Sequence, residues 1–366
     1  MSKNNSFVMS KLNIILQVLT LLMIALIPLL LYLVGEIPES GNNYVLSMMI
    51  FIGIYSIVTV SMCLLMGYAG QISLGHAAFF GMGAYGSAIL TTKYAWNPWL
   101  ALLAAAIVTG ILALIVGIPT LKLKEHYLAL ATLGFGIIIS VVFAQESNYT
   151  GGPSGINGIK ALEIGGWQIG SRHLQLNFDN DLANYYLVWL VVLFTIFIAS
   201  NIVKSRVGRA LQAIHGSETA AEAMGINTAF YKLQIFVLSA VFASVAGSLY
   251  VHYITAISPN SFGFKMSIEF VLMAVVGGIA SNWGPLFGVA TVFVLTQVLQ
   301  KEIPNLIPNS GGEVEIVAFG LILAIIMIFM PEGLFRGIVD RIEKRGKVKR
   351  EPIDVVLDNL WEEADK

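Results

Sequence analysis

The chain has 366 residues, of which 57% are hydrophobic and 12% are charged. A soluble globular domain carries about 25% charged residues, so this composition excludes an ordinary water-soluble protein. The formal net charge of −1 argues against a nucleic-acid partner, and a single cysteine, Cys63, excludes an intrachain disulfide.

Long uncharged runs separate the charged clusters along the chain. A helix needs roughly 20 apolar residues to cross the hydrocarbon core of a bilayer. By that rule we predict an all-α, polytopic integral membrane protein with about ten transmembrane helices. The ten predicted spans are 13–34, 44–66, 74–91, 98–118, 127–144, 184–203, 231–254, 267–280, 284–300 and 315–330.

The distribution of Lys and Arg predicts the orientation of these spans. If the N-terminus is cytoplasmic, ten spans place 16 of the 21 Lys and Arg residues on the cytoplasmic side and five on the outer side. Cytoplasmic loops carry such an excess of positive charge. We therefore predict that both termini are cytoplasmic, with an N-terminal segment at 1–12, a transmembrane domain at 13–335 and a charged tail at 336–366.

A glycine-rich block at 67–86 holds six glycines in twenty residues. Glycine weakens a helix but allows close backbone approach or a helix break inside a protein-lined cavity. Polar groups at membrane depth usually face a bundle interior or a transport pathway. Gln71, Ser73, Gly75 and His76 are therefore our candidates for contact with a transported substrate. For His76, a hydrogen bond between helices is the alternative interpretation.

Two long connections interrupt the spans. The outer one, at 145–183, contains a Gly/Pro-rich turn at 150–156. Loops of this length are uncommon unless they are functional or disordered. We consider two interpretations, a docking site for an external partner and a lid that packs on the chain's own helices.

The inner connection at 204–230 contains a predicted helix of about two turns. Ser217 is a good N-cap, Glu218 suits the positive end of the helix dipole, and Gly225 is a good residue after the helix end. A helix this short is marginal in water and needs a packing partner. The small side chains that would let it enter a groove of another protein are Ala220, Ala221 and Ala223. The alternative is a connector that lies on its own bundle.

Glu269 lies at the edge of a predicted span. It could contact a substrate ammonium group, or it could sit in a first helical turn after a cap at Ser267, where the dipole favours a negative charge. Further on, the glycines at 277–278, together with Gly284 and Pro285, predict a tight turn with closely packed flanks.

Several catalytic and nucleotide-binding patterns are absent or unconvincing. The G-x-G-x-x-G match at 81–86 lies in an apolar span and fits helix packing through small residues better than dinucleotide binding. The sequence has no Walker A loop, so ATP-driven transport would need an ATPase on another polypeptide. We find no recognisable catalytic arrangement and expect no enzymatic activity.

Three segments together, 67–79, 208–226 and 276–288, resemble the inner-membrane permeases of branched-chain amino acid ABC importers. The likeness is to the M-type subunit, it extends from about residue 40 to 335, and the 150–156 turn shares it. Urea and short-chain amide importers use the same permease family, so a urea or amide substrate is an alternative. A secondary transporter that needs no ATPase is a third possibility, disfavoured because intramembrane charges are scarce.

The resemblance implies a heteromeric importer in the bacterial cytoplasmic (inner) membrane. Its other parts would be a second, H-type permease, two cytoplasmic ABC ATPases and an extracytoplasmic substrate-binding protein, and this chain itself would bind no cofactor or metal. Within the inner connection the chain departs from the family pattern at 215–216, which reads His-Gly, and by one extra residue before Gly225. The residues that the resemblance assigns to ATPase coupling are Arg209, Glu218, Ala220, Ala221, Glu222 and Gly225.

Overall fold

A computed structural model of the chain gives its fold. It describes residues 44–121, 125–164, 167–169, 178–279, 281, 283–306, 312–330, 333, 334 and 337. The predicted span at 13–34, the N-terminal segment at 1–12 and the tail at 336–366, apart from residue 337, lie outside the described residues.

Long helices dominate the described part of the chain, and nine of them coincide with nine predicted spans. Within the described residues, six helices are long and apolar enough to cross a membrane, so the chain is a multi-pass α-helical membrane protein. The long helices are α1 (Tyr44–Cys63), α2 (His76–Thr92), α3 (Pro98–Thr120), α4 (Glu125–Gln145), α6 (Phe178–Lys204), α9 (Thr228–Ile254), α10 (Phe264–Gly277), α11 (Gly284–Leu306) and α12 (Gly312–Phe329).

The described residues also include three short α-helices. Helix α5 (Ser147–Thr150) follows α4, and α7 (Arg206–Gly216) and α8 (Glu218–Ala223) lie between α6 and α9. A π-helical turn, Leu64–Tyr68, extends α1.

Helices α1 and α9 form the centre of the bundle. The most apolar windows of these two helices are 78% and 72% buried, compared with 17% for α4 and 33% for α6. Helix α3 shows how a peripheral helix is patterned. Its outward face carries large apolar side chains four residues apart, among them Leu103, Ile107 and Ile111, whereas Gly110 and Gly117 face α9. This is the pattern of a helix with one face toward lipid and a small-residue face toward its neighbours.

Helices α2 and α9 run parallel with their backbones in contact. A Cβ atom on Gly83 would lie 2.0 Å from the carbonyl oxygen of Ser244, and one on Gly247 would lie 1.9 Å from that of Phe80. The hydroxyl of Ser248 donates to the carbonyl of Gly83 at 3.0 Å. Small residues on both helices therefore permit this approach, as expected for the G-x-G-x-x-G match in the glycine-rich block.

The predicted outer loop at 145–183 contains structure of its own. Strand β1 (Ile156–Asn157) pairs antiparallel with β4 (Ala256–Ile257), and β2 (Leu162–Ile164) pairs with β3 (Trp167–Ile169). These two small ladders are an addition to the all-α prediction. The β1–β4 pair holds the loop against the residues that follow the C-terminal end of α9, as the lid interpretation expects.

The connection between α10 and α11 is tight, as predicted. A Cβ atom on Gly277 would lie 2.2 Å from the carbonyl oxygen of Gly284, and one on Gly288 would lie 2.0 Å from that of Met273. Pro285 occupies the first turn of α11, where its missing N–H costs no helical hydrogen bond.

Candidate functional site

The glycine-rich block breaks the helix between α1 and α2. The π-helical turn ends at Tyr68, α2 begins at His76, and residues 70–75 are irregular. Gly70 has φ +66°, a conformation that glycine adopts without strain. The break lies against α7, because a Cβ atom on Gly70 would come within 3.1 Å of the ring of His215.

His76 joins three helices through hydrogen bonds. Its ring is fully buried, with Nδ1 3.1 Å from the hydroxyl of Ser73 and Nε2 2.6 Å from that of Ser239 on α9. Ser239 in turn donates to the hydroxyl of Ser61 on α1 at 3.3 Å. The interpretation of His76 as a histidine hydrogen-bonded between helices is thus confirmed.

Gln71 is buried without visible partners. The residue is 2% exposed, and neither polar atom of its amide has a hydrogen-bond partner within the described part of the chain. An unsatisfied buried polar group costs about 1–3 kcal/mol. A partner that arrives in another state of the protein would recover that free energy.

The remaining candidates in the block are also enclosed. A Cβ atom on Gly75 would lie 2.7 Å from the carbonyl oxygen of Thr132 on α4, and the N–H of Leu74 donates to the hydroxyl of Thr132 at 3.0 Å. The structure therefore brings Gln71, Ser73, Gly75 and His76 together in a closed interior. Substrate contact by these four residues stays a prediction and requires the helix break to open.

A second pair of a histidine and a serine lies toward the other end of α2 and α9. The hydroxyl of Ser87 is 2.6 Å from Nε2 of His252, and Nδ1 of His252 is 2.6 Å from the carbonyl oxygen of Lys160. Sequence reasoning missed His252, although a histidine within an apolar span was the available signal. This pair connects the bundle to the folded loop after α5.

Ser267 does not cap a helix at Glu269, contrary to one of the two interpretations. Helix α10 begins at Phe264, three residues earlier, with Gly263 as its N-cap residue. The hydroxyl of Ser267 instead accepts a hydrogen bond from the N–H of Ala77 at 3.2 Å. A tertiary contact with α2 thus uses the side chain that local reasoning assigned to a cap.

Glu269 lies in a pocket between α10, α11 and α12. Its Oε1 is 3.9 Å from Nζ of Lys265, one helical turn earlier. The pocket has a volume of about 260 Å³. Its lining residues are Lys265, Ile268, Glu269, Leu272, Thr296, Leu299, Gln300, Phe319 and Gly320.

The segment between α6 and α9 forms two short helices with clear caps. The hydroxyl of Ser205 accepts from the N–H groups of the first turn of α7, and that of Ser217 accepts from the N–H of Ala220 in α8. Gly225 has φ +82° and follows Met224, the C-cap residue of α8, as expected for the glycine that ends a helix. The predicted start and end of this helix are confirmed, and α7 is an additional helix.

Side chains hold α8 onto α9. Nζ of Lys232 is 2.5 Å from Oε1 of Glu218, and the hydroxyl of Thr228 donates to Glu222 at 2.8 Å. Ala221 is 3% exposed. The prediction that Ala221 offers its side chain to another protein is therefore wrong, because it packs against its own bundle.

The other predicted coupling residues lie on the exposed side of this segment. Arg209, Glu218, Ala220, Glu222 and Gly225 are exposed. The guanidinium of Arg209 donates to the carbonyl of Lys204 at 3.3 Å. The structure thus gathers five of the six predicted coupling residues on a solvent-facing surface, while their coupling role stays a prediction.

A known protein family matches the regions of the chain described above. Residues 44–331 match the family model described as branched-chain amino acid transport system / permease component. This match spans the bundle, the glycine-rich block and the α7–α8 segment.

Individual relatives are similar over most of the chain. The high-affinity branched-chain amino acid transport system permease protein LivM of Salmonella typhimurium is 28% identical over 295 residues, which cover 77% of this chain and 67% of the relative. The probable branched-chain amino acid transport permease protein LivM of Methanocaldococcus jannaschii is 24% identical, over 78% of this chain and 91% of the relative. The high-affinity branched-chain amino acid transport system permease protein LivH of Salmonella typhimurium is 25% identical, over 76% of this chain and 90% of the relative. With the family model matching well over half of its length, the chain belongs to the family of permease components of branched-chain amino acid transport systems.

Proposed function

We propose that this chain is a permease subunit of an ABC importer and forms the membrane path for leucine, isoleucine and valine. The observation that carries the proposal is the family match across residues 44–331, which covers the whole described bundle. The names of the relatives, which include branched-chain amino acid permeases of two types, support the substrate class.

The proposed topology has ten spans with both termini in the cytoplasm of a bacterial cell and the bundle in its inner membrane. The positive charge of the predicted inner segments supports this orientation. It places the α7–α8 segment and the α10–α11 turn on the cytoplasmic side. The β1–β4 ladder then lies on the outer side.

The proposed complex contains a second, H-type permease, two cytoplasmic ABC ATPases and an outer substrate-binding protein. The similarity of this chain to both LivM and LivH relatives supports a pair of related permeases. ATP would bind to the partner subunits. This chain would perform no covalent chemistry and would contribute only the path and its conformational change.

The exposed α7–α8 surface is the proposed contact for an ATPase subunit. Two contacts of this segment would carry its movement to the interior. Gly70 contacts His215 of α7, and Lys232 ties α8 to α9, the helix that holds His76 through Ser239. If the ATP-bound ATPase subunits bind one conformation of the bundle more tightly than the other, ATP binding would shift the population toward that conformation. Opening of the break at 70–75 would then expose Gln71 to a substrate.

Ala220→Arg tests this contact. Ala220 is an exposed residue of α8, so the added bulk and charge are expected to remove the ATPase subunits from affinity-purified complexes without reducing the amount of folded protein in the membrane. Asn260→Arg is the control, because Asn260 is exposed near the opposite end of α9. Normal recovery of ATPase with the Ala220→Arg variant would contradict the proposed coupling surface.

A further inference from the structure

We infer that the pocket between α10, α11 and α12 binds the ammonium and carboxylate groups of a free amino acid and covers its aliphatic side chain. This inference rests on the proposed function and deepens it, because it places a substrate site away from the glycine-rich block. The pocket combines opposite charges, neutral polar groups and apolar walls.

The two charges lie on one face of α10. Lys265 and Glu269 are one turn apart, with Nζ 3.9 Å from Oε1. That separation is beyond direct hydrogen-bond distance, and the two side chains are 80% and 38% exposed. Both groups are therefore accessible to a ligand. An amino acid carries its own opposite charges on one carbon, so its carboxylate can face Lys265 while its ammonium group faces Glu269.

Helix α11 supplies neutral polar groups opposite this pair. Thr296 and Gln300 are also one turn apart and both line the pocket. The hydroxyl of Thr296 donates its hydrogen to the carbonyl of Val292 at 2.9 Å, which leaves its oxygen as an acceptor. An ammonium group has three donors, so acceptors from Glu269 and Thr296 suit it.

Apolar side chains complete the pocket. Leu272 and Phe319 line it from α10 and α12, and its volume is about 260 Å³. An aliphatic side chain gains free energy when such walls remove its apolar surface from water. In the proposed orientation Lys265 and Glu269 lie in the outer half of α10, on the side where a binding protein would release its cargo.

Glu269→Gln tests the site with almost no change in side-chain shape. The complete importer, reconstituted in liposomes, would be assayed for ATP-dependent uptake over a range of leucine concentrations. We expect about a tenfold rise in the apparent KM for leucine with little change in the maximal rate. Glu146→Gln is the matched control, since Glu146 is an exposed acid that does not line the pocket, and its KM should equal that of the wild type.

Two leucine analogues test recognition of both charges by the detergent-purified permease–ATPase complex, assayed for displacement of bound radiolabelled leucine in the absence of the substrate-binding protein. Isopentylamine lacks the carboxylate and 4-methylpentanoate lacks the ammonium group. In the wild type we expect neither to compete with leucine at equal concentration, whereas valine should compete. Competition by either analogue as strong as that by valine would overturn recognition of the paired charges.

The outcomes separate this inference from the proposed function. Leucine uptake by the wild type with an identical KM in Glu269→Gln would overturn the pocket and leave the function standing. Failure of the wild type to accumulate any branched-chain amino acid would overturn the function itself. A phospholipid that co-purifies with the wild type but not with Glu269→Gln, with leucine KM unchanged, would assign the pocket to a lipid head group instead.

Discussion

Gly83→Ala probes the contact between α2 and α9 on which the bundle centre depends. The new Cβ atom would lie 2.0 Å from the carbonyl oxygen of Ser244, about 1.4 Å closer than the 3.4 Å at which ordinary contact begins. Both atoms are fixed to helical backbone, so neither can rotate away and the helices must separate. The hydrogen bond from Ser248 to the carbonyl of Gly83 would lengthen as well. Overpacking of this kind costs about 1–3 kcal/mol, and the lost hydrogen bond adds about 1 kcal/mol.

The assay is thermal unfolding of the detergent-purified protein, followed by tryptophan fluorescence. Gly83→Ala is expected to unfold several degrees below the wild type. Gly134→Ala is the matched control, because Gly134 lies inside α4 and a Cβ atom added there would meet nothing within 4 Å, and alanine is the better helix former by about 1 kcal/mol in water. Addition of Gly247→Ala to Gly83→Ala should cost less than the sum of the two, because both act on one contact. Equal unfolding temperatures for Gly83→Ala and Gly134→Ala would refute the reasoning.

Three further predictions concern the interior and the α7–α8 segment. His76→Leu should lower the unfolding temperature, because it leaves the buried hydroxyl of Ser239 without its histidine partner at a cost of about 1–3 kcal/mol; an unchanged melting curve would contradict the role of this bond. Ala221→Arg should reduce the amount of folded protein in the membrane, whereas Ala223→Arg should not, because only Ala221 is buried; equal yields of the two variants, measured by fluorescence-detected size exclusion, would contradict the observed burial. Lys232→Met should speed proteolytic cleavage between α7 and α9, because it removes the ion pair that holds α8; cleavage at the wild-type rate would show that the pair contributes nothing to this attachment.

Features that depend on local sequence were predictable. Nine helices coincide with apolar runs because hydrophobic length sets a membrane span. The boundaries of α8 follow from Ser217 and Gly225, whose capping roles involve only their nearest neighbours along the chain.

Features that depend on tertiary contacts were not predictable in the same way. Ser267 resembles a helix cap in the sequence, but its hydroxyl instead accepts a hydrogen bond from the N–H of Ala77 on another helix. Helix α8 has six residues, too few for a periodic pattern to show that Ala221 faces inward. The β1–β4 ladder joins two residues on each side across about a hundred positions, and such short strands leave no alternating pattern.

Among the buried polar groups, too, some features could be predicted from the sequence and others could not. One of the two interpretations of His76 in the sequence, a hydrogen bond between helices, follows because a polar group at membrane depth needs a partner. The sequence does not identify that partner, because Ser239 is 163 residues away. The unpaired amide of Gln71 is equally invisible in the sequence, because satisfaction of a polar group depends on all its spatial neighbours.

The most direct test of the proposed function is ATP-dependent leucine uptake by liposomes that contain this chain with its partner permease and ATPases, compared with liposomes that lack the ATPases. The account predicts accumulation of leucine against its gradient in the complete system and only background levels without the ATPases. Equal accumulation in both preparations would contradict the claim that a separate motor drives this permease.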